Sequence, residues 1–121
     1  AATIKLPRRI PYHVAMDLLF TGRWIDAVEA HHWGLINEKM PLDRLMTRAR
    51  EVAATLAEGP PLVFAAIKEV LRESENLTFQ QALRRITARK LPTIDRLYSS
   101  DDQLEGAQAF AEKRKPLWRG R

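Results

Sequence analysis

The chain has no cysteine, so disulfides and thiolate metal sites are excluded, and a reducing compartment is the fitting one. It has no apolar run near the roughly 20 residues that a membrane-spanning helix needs. Its start, Ala1-Ala2-Thr3-Ile4-Lys5, lacks the apolar stretch of a secretion signal. The expectation is a cytoplasmic protein without a membrane partner. Glycine is scarce, and the five present are too scattered to form a phosphate-cradling loop. Aromatics are only 7% of the residues and do not interleave with the basic clusters Arg84-Arg85, Arg89-Lys90 and Lys113-Arg114-Lys115. A net charge of +5 therefore does not point to nucleic acid. The basic residues stand beside acidic ones such as Asp101-Asp102, as on a solvated face or one that meets a small anion.

What is present reads as helix. The stretch Phe20 to Pro41 holds two helix ends, one short helix and a possible strand. Gly22 closes a helix that begins near Pro11 and places Val14, Ala15, Leu18, Leu19 and Thr21 on one face. Asp26 and Glu29 form a reciprocal capping pattern for the next helix, Gly34 stops it, and Leu35 to Glu38 is the extended candidate. From Leu42 to Glu58 the residues Leu45, Ala49, Val52, Ala53 and Leu56 repeat a buried-face spacing up to Gly59. The helix from Pro61 to Arg72 sets Val63, Ile67, Val70 and Leu71 on one side. Thr78 and Gln81 make a capping box for a helix bearing Phe79, Ala82, Leu83 and Ile86. Pro92 breaks the chain before a short helix through Tyr98, and Ser100 with Gln103 caps a last helix that Pro116 ends. The fold class is mainly α with at most one short strand. It forms a single domain over residues 1 to 121, in which 1 to 59 and 60 to 121 are two groups of helices.

Few residues invite a chemical role. His31 and His32 point about 100° apart on a helix and cannot share a metal as an i, i+4 pair would. A structural or surface role is favoured for both. His13 and Asp17 have helical spacing and read as a solvated contact rather than a dyad. Ser74, Ser99 and Ser100 lie in no nucleophile elbow, and Ser100 is accounted for as a cap. Trp24, Trp33 and Trp118 read as packing anchors, with an interface as the second reading for Trp118. No catalytic or metal-ligating residue is assigned.

Thr21-Gly22-Arg23, Glu29-Ala30, Trp33-Gly34-Leu35-Ile36-Asn37 and Pro41 resemble a signature of the crotonase superfamily, the enoyl-CoA hydratases and isomerases. Leu6-Pro7-Arg8, Pro60-Pro61-Leu62, Ala66-Ile67-Lys68, Glu105-Gly106, Ala109-Phe110, Glu112-Lys113-Arg114 and Pro116 follow in family order. The ending from Ala109 to Arg121 is similar to the carnitinyl-CoA dehydratase branch. The resemblance implies a helical C-terminal module of the crotonase (ClpP/crotonase-like α/β) fold, with the N-terminal spiral β-rich core absent. The missing initiator Met fits a piece of a longer protein.

The resemblance also implies a coenzyme A thioester as substrate of the parent, no prosthetic group, and a homo-oligomer, trimer or hexamer. In the family an aromatic of the last helix lies against the adenine and a lysine meets the phosphates, which here are Phe110 and Lys113. Three residues apart, they would share a helix face. The plainer alternative makes Phe110 core and Lys113 a solvated cation at a helix end. The resemblance places the oxyanion donors and acid/base glutamates in segments not present here, so Glu29, Glu38, Glu51 and Glu58 are given no catalytic role. Two readings follow: the oligomerisation and CoA-covering portion of such an enzyme, inactive alone, or an independent helical self-association module.

Overall fold

In a computed structural model, which describes residues 1–121, the chain is helical throughout, with no strand. Its contacts divide it into two compact units, Ala1–Ala49 and Arg50–Arg121.

The first unit holds α1 (Ala2–Lys5), a 3-10 turn (Leu6–Arg8), α2 (Tyr12–Thr21) and α3 (Ala27–His32). Ile10, Val14 and Ala15 form its core, and Leu6, Met16, Leu18 and Trp33 pack against them. Gly22 ends α2 at φ 63°, and its N–H donates to the Leu18 carbonyl at 3.1 Å, the single-bond left-handed cap. Asp26 caps α3 by accepting the Glu29 N–H at 2.8 Å. The reciprocal half of that capping pattern is missing because the Glu29 carboxylate is taken by Arg23, at 2.6 and 2.9 Å. Past Gly34, at φ 73°, residues 35 to 37 are a bend and residue 38 is irregular, with no strand. The Leu35 and Ile36 N–H groups fold back to the Ala30 carbonyl, so they are not available to a ladder.

The helix α4 (Leu42–Ala57) begins in the first unit and ends in the second. It buries no residue, and Leu45, Val52 and Leu56 stay 47%, 38% and 56% exposed. The spacing predicts a buried face there, and none of its residues is buried. Gly59 does not stop the helix by a left-handed turn. Its role is room, since a Cβ there would collide with the Phe64 ring.

The second unit continues with α5 (Pro61–Ser74), α6 (Phe79–Thr87), α7 (Pro92–Tyr98) and α8 (Asp101–Ala111). Ala66, Leu91 and Ile94 make its core, with Val70, Ile86 and Leu97 around them. On α5 the buried stripe is Leu62, Ala66 and Val70, an i, i+4, i+8 row, whereas Ile67 and Leu71 face out. The sequence could not tell which of two adjacent apolar stripes meets α7. The Thr78–Gln81 capping box is complete, and Ser100 accepts the Gln103 N–H. The last helix stops at Ala111, five residues before Pro116, because Lys113 turns left-handed at φ 53°. No helix is long and apolar enough to cross a membrane.

Candidate functional site

The end of α8 is where the two residues singled out in the sequence stand. Phe110 lies in the last turn of the helix with 87% of its surface exposed, so it is not core. Lys113 lies beyond the helix, so the two do not share a helical face as their spacing predicts. They are brought together differently. The Lys113 N–H donates to the Phe110 carbonyl at 3.3 Å, and the Arg114 N–H to the Ala109 carbonyl at 3.0 Å. This is the double-bonded cap that follows a left-handed residue, here occupied by a lysine instead of the usual glycine. A second such cap ends α6. There Arg89 is at φ 50°, and its guanidinium lies 4.9 Å from the Tyr98 ring centroid.

Of the three consecutive cations after α8, two are engaged. Arg114 forks onto Glu105 at 2.6 and 2.9 Å and also reaches Glu112, while Lys115 pairs with Glu58 at 2.8 Å. The Lys113 ammonium makes no ion pair and is exposed. Glu105 also accepts the Leu117 N–H at 2.7 Å, and the Arg114 guanidinium with this N–H holds its carboxyl down to about 2. One turn earlier, the buried Asp102 carboxylate accepts the Arg119 and Gly120 N–H groups at 2.7 and 2.8 Å. The residues after α8 are thereby folded back along it. An open cavity of about 300 Å³ between helix and returning chain is lined by Asp102, Glu105, Gln108, Leu117 and Arg119. Phe110 and Lys113 do not line it.

Elsewhere the chemistry is structural. Arg23 holds Asp17 at 2.6 Å as well as Glu29, and Trp33 donates to Glu29 at 3.3 Å. Asp17 is thus engaged by Arg23 rather than by His13, whose ring meets Trp33 edge-on at 6.1 Å. His32 stacks edge-on against Trp33 at 4.5 Å. No three His, Asp or Glu side chains converge as metal ligands would. Trp33 packs against the first core and Trp118 is half-buried, with Gly106 beneath its ring. Trp24 is 96% exposed and is no packing anchor. The Glu105–Arg114 fork and the Asp102 clasp carry no local sequence signal. Their spacings of 9, 17 and 18 residues lie far beyond the i, i+3 and i, i+4 reach of helical neighbours, and the left-handed turn at Lys113 brings them together.

The family model for enoyl-CoA hydratase/isomerase matches residues 1–121. The chain belongs to the enoyl-CoA hydratase/isomerase family. It is similar to carnitinyl-CoA dehydratases of Citrobacter koseri and Proteus mirabilis, each 39% identical over 118 residues. These matches cover 98% of the chain and 45% of each relative. Among solved structures, an enoyl-CoA hydratase from Bacillus anthracis aligns with a TM-score of 0.85 at 32% identity, covering 99% of this chain and 45% of that one. One from Mycobacterium tuberculosis H37Rv aligns at 0.83 and 32%, covering 99% and 46%. Enoyl-CoA hydratases act on coenzyme A thioesters and need no prosthetic group.

The chain thus spans less than half the length of the relatives it matches. That 45% share does not support the sequence-based assignment of a C-terminal helical module of the crotonase fold with its β-rich core absent, and the assignment is corrected. What stands is an all-helical chain that shares its fold with the matched part of these enzymes.

Proposed function

We propose that the chain is a portion of a coenzyme A thioester hydratase, dehydratase or isomerase that touches the nucleotide of its substrate through Phe110 and Lys113. The observation that carries this is the pairing of an 87% exposed aromatic ring with an ammonium left without an ion-pair partner at one helix end. An aromatic face suits a purine, and an ammonium suits a phosphate. The likeness to carnitinyl-CoA dehydratases makes a carnitinyl thioester the first acyl group to test.

The chain is inactive alone in this reading. Glu29, Glu38, Glu58, Glu69 and Glu105 are each held below the usual carboxylate range, the first three and the last by a cation and Glu69 by Thr93. Groups so committed are poor general acids at neutral pH. Calorimetric titration of the chain with coenzyme A tests the reading. Phe110→Ala is expected to remove roughly 1 to 3 kcal/mol of stacking, and Lys113→Ala to weaken binding in a salt-dependent way. Wild-type chain that binds no coenzyme A overturns it. Turnover of a short enoyl-CoA by the purified chain, above buffer, overturns its inactivity.

Self-association is the second part of the proposal, supported by α4, which buries no residue while keeping Leu45, Val52 and Leu56 exposed on a helical face. An independent helical self-association module with no acyl-CoA role is the reading left if association is found and coenzyme A binding is not.

A further inference from the structure

Lys113 holds a backbone conformation that costs energy for any residue with a Cβ and persists only where the surroundings fix it. Its two capping bonds fix the turn from the helix side. From the other side Glu105 does so, while Glu112, next to Lys113 in the chain, is a second partner of Arg114 at 2.6 Å. Glu105, five residues before Phe110 on α8, takes the Arg114 fork at 2.6 and 2.9 Å and the Leu117 N–H at 2.7 Å. The residue immediately after Lys113 and the residue four after it are therefore tied to the same point on the helix. Phe110, inside the last turn, needs neither tie to keep its place.

We infer that Glu105 is a positioning residue for the coenzyme A contact: by holding Arg114 and Leu117 it fixes the left-handed turn that presents the Lys113 ammonium to a phosphate beside Phe110. The inference rests on the coenzyme A reading proposed above. It assigns Glu105 no contact with the ligand. Its effect passes wholly through Lys113, which distinguishes it from a residue that merely stabilises the fold. Two variants that act through one interaction are not additive, whereas independent ones are.

The experiment is calorimetric titration of the full chain, as wild type, Glu105→Gln, Lys113→Ala and the double variant, with coenzyme A and with adenosine. Glu105→Gln is expected to weaken coenzyme A binding several-fold, approaching Lys113→Ala, and the double variant to bind no more weakly than Lys113→Ala. Adenosine, which lacks phosphates, should bind all four alike. Amide exchange at Arg114 and Leu117 should quicken in Glu105→Gln while the interior of α8 is unchanged. Unchanged coenzyme A affinity in Glu105→Gln, or losses that add in the double variant, overturns the inference. If wild type binds neither ligand, the coenzyme A reading fails and the role of Glu105 with it. Faster exchange at Arg114 and Leu117 then shows that the clasp survives, and unchanged exchange shows that it does not. Should Glu105→Gln lose helical circular dichroism, Arg114→Lys replaces it, since it keeps the charge but breaks the fork. The expected result is a partial loss that is absent in the Lys113→Ala background, and an additive loss overturns the inference.

Discussion

Glu69 Oε2, on α5, accepts both the backbone N–H of Thr93 at 2.9 Å and its hydroxyl at 2.5 Å, across 24 residues of sequence. The N-cap residue of α7 is Leu91, which has no side chain able to accept these donors. A carboxylate from another helix does the work of a cap, and in doing so it joins α5 to α7 beside the Ala66–Leu91–Ile94 core. Glu69→Ala is therefore expected to lower the melting temperature by several degrees, with Glu69→Gln in between. Calorimetric melting checks this, and an unchanged transition in Glu69→Ala would show that the joint is dispensable.

Lys113 and Arg89 both occupy left-handed positions that glycine fills without a Cβ penalty. Lys113→Gly should stabilise the chain by about 0.5–1 kcal/mol. Arg89→Gly should gain less, because it gives up the guanidinium over Tyr98, a contact of about 0.5–1 kcal/mol at an exposed site. Urea unfolding of the two variants checks the order, and an equal gain for both would remove the cation–π contact from the account.

The depressed Glu105 carboxyl makes stability depend on acid. Its folded value of about 2 lies below the ordinary 4.5 of a glutamate, so the folded chain binds fewer protons and is favoured above about pH 4.5. That contribution is lost as pH falls through 4.5 towards 2. Glu105→Gln should flatten the fall in unfolding free energy across this window and leave its slope near pH 7 unchanged. Denaturant melts at a series of pH values read this directly.

A methyl group at position 59 would meet the Phe64 ring. Gly59→Ala should cost about 1 kcal/mol, the lower end of the usual cost of overpacking, because the tip of a half-buried side chain can move aside. Phe64→Leu in the same background should recover part of the loss. If Gly59→Ala is neutral in chemical denaturation, the ring yields freely and Gly59 has no steric role.

Much of the helix layout could be read from local signals. Pro61, Pro92, Gly22, Thr78 with Gln81, and Ser100 act within a few residues of themselves, and each marks its helix boundary in the structure to within one residue. The failures share one cause, a partner that periodicity cannot see. Asp26 with Glu29 is a capping pair in sequence, but Arg23 outcompetes the backbone for the Glu29 carboxylate. Pro116 is the visible helix stop, yet Lys113 ends α8 earlier by adopting a conformation its sequence does not advertise. α4 has the spacing of a buried face, and spacing alone does not say whether anything covers it. At the candidate site Phe110 and Lys113 are marked by resemblance to a family, whereas the Glu105 contacts with Arg114 and Leu117 come from tertiary structure alone.

The Asp102 carboxylate, only 3% exposed, has the N–H groups of Arg119 and Gly120 as its donors, and the Asp102 N–H in turn donates to the Arg121 carbonyl at 3.2 Å. All three act on Asp102 through their backbone groups alone. Removing them would strip an almost buried anion of both its donors and leave it to water. The loss of three backbone contacts would then soften the start of α8, a whole helix away along the sequence.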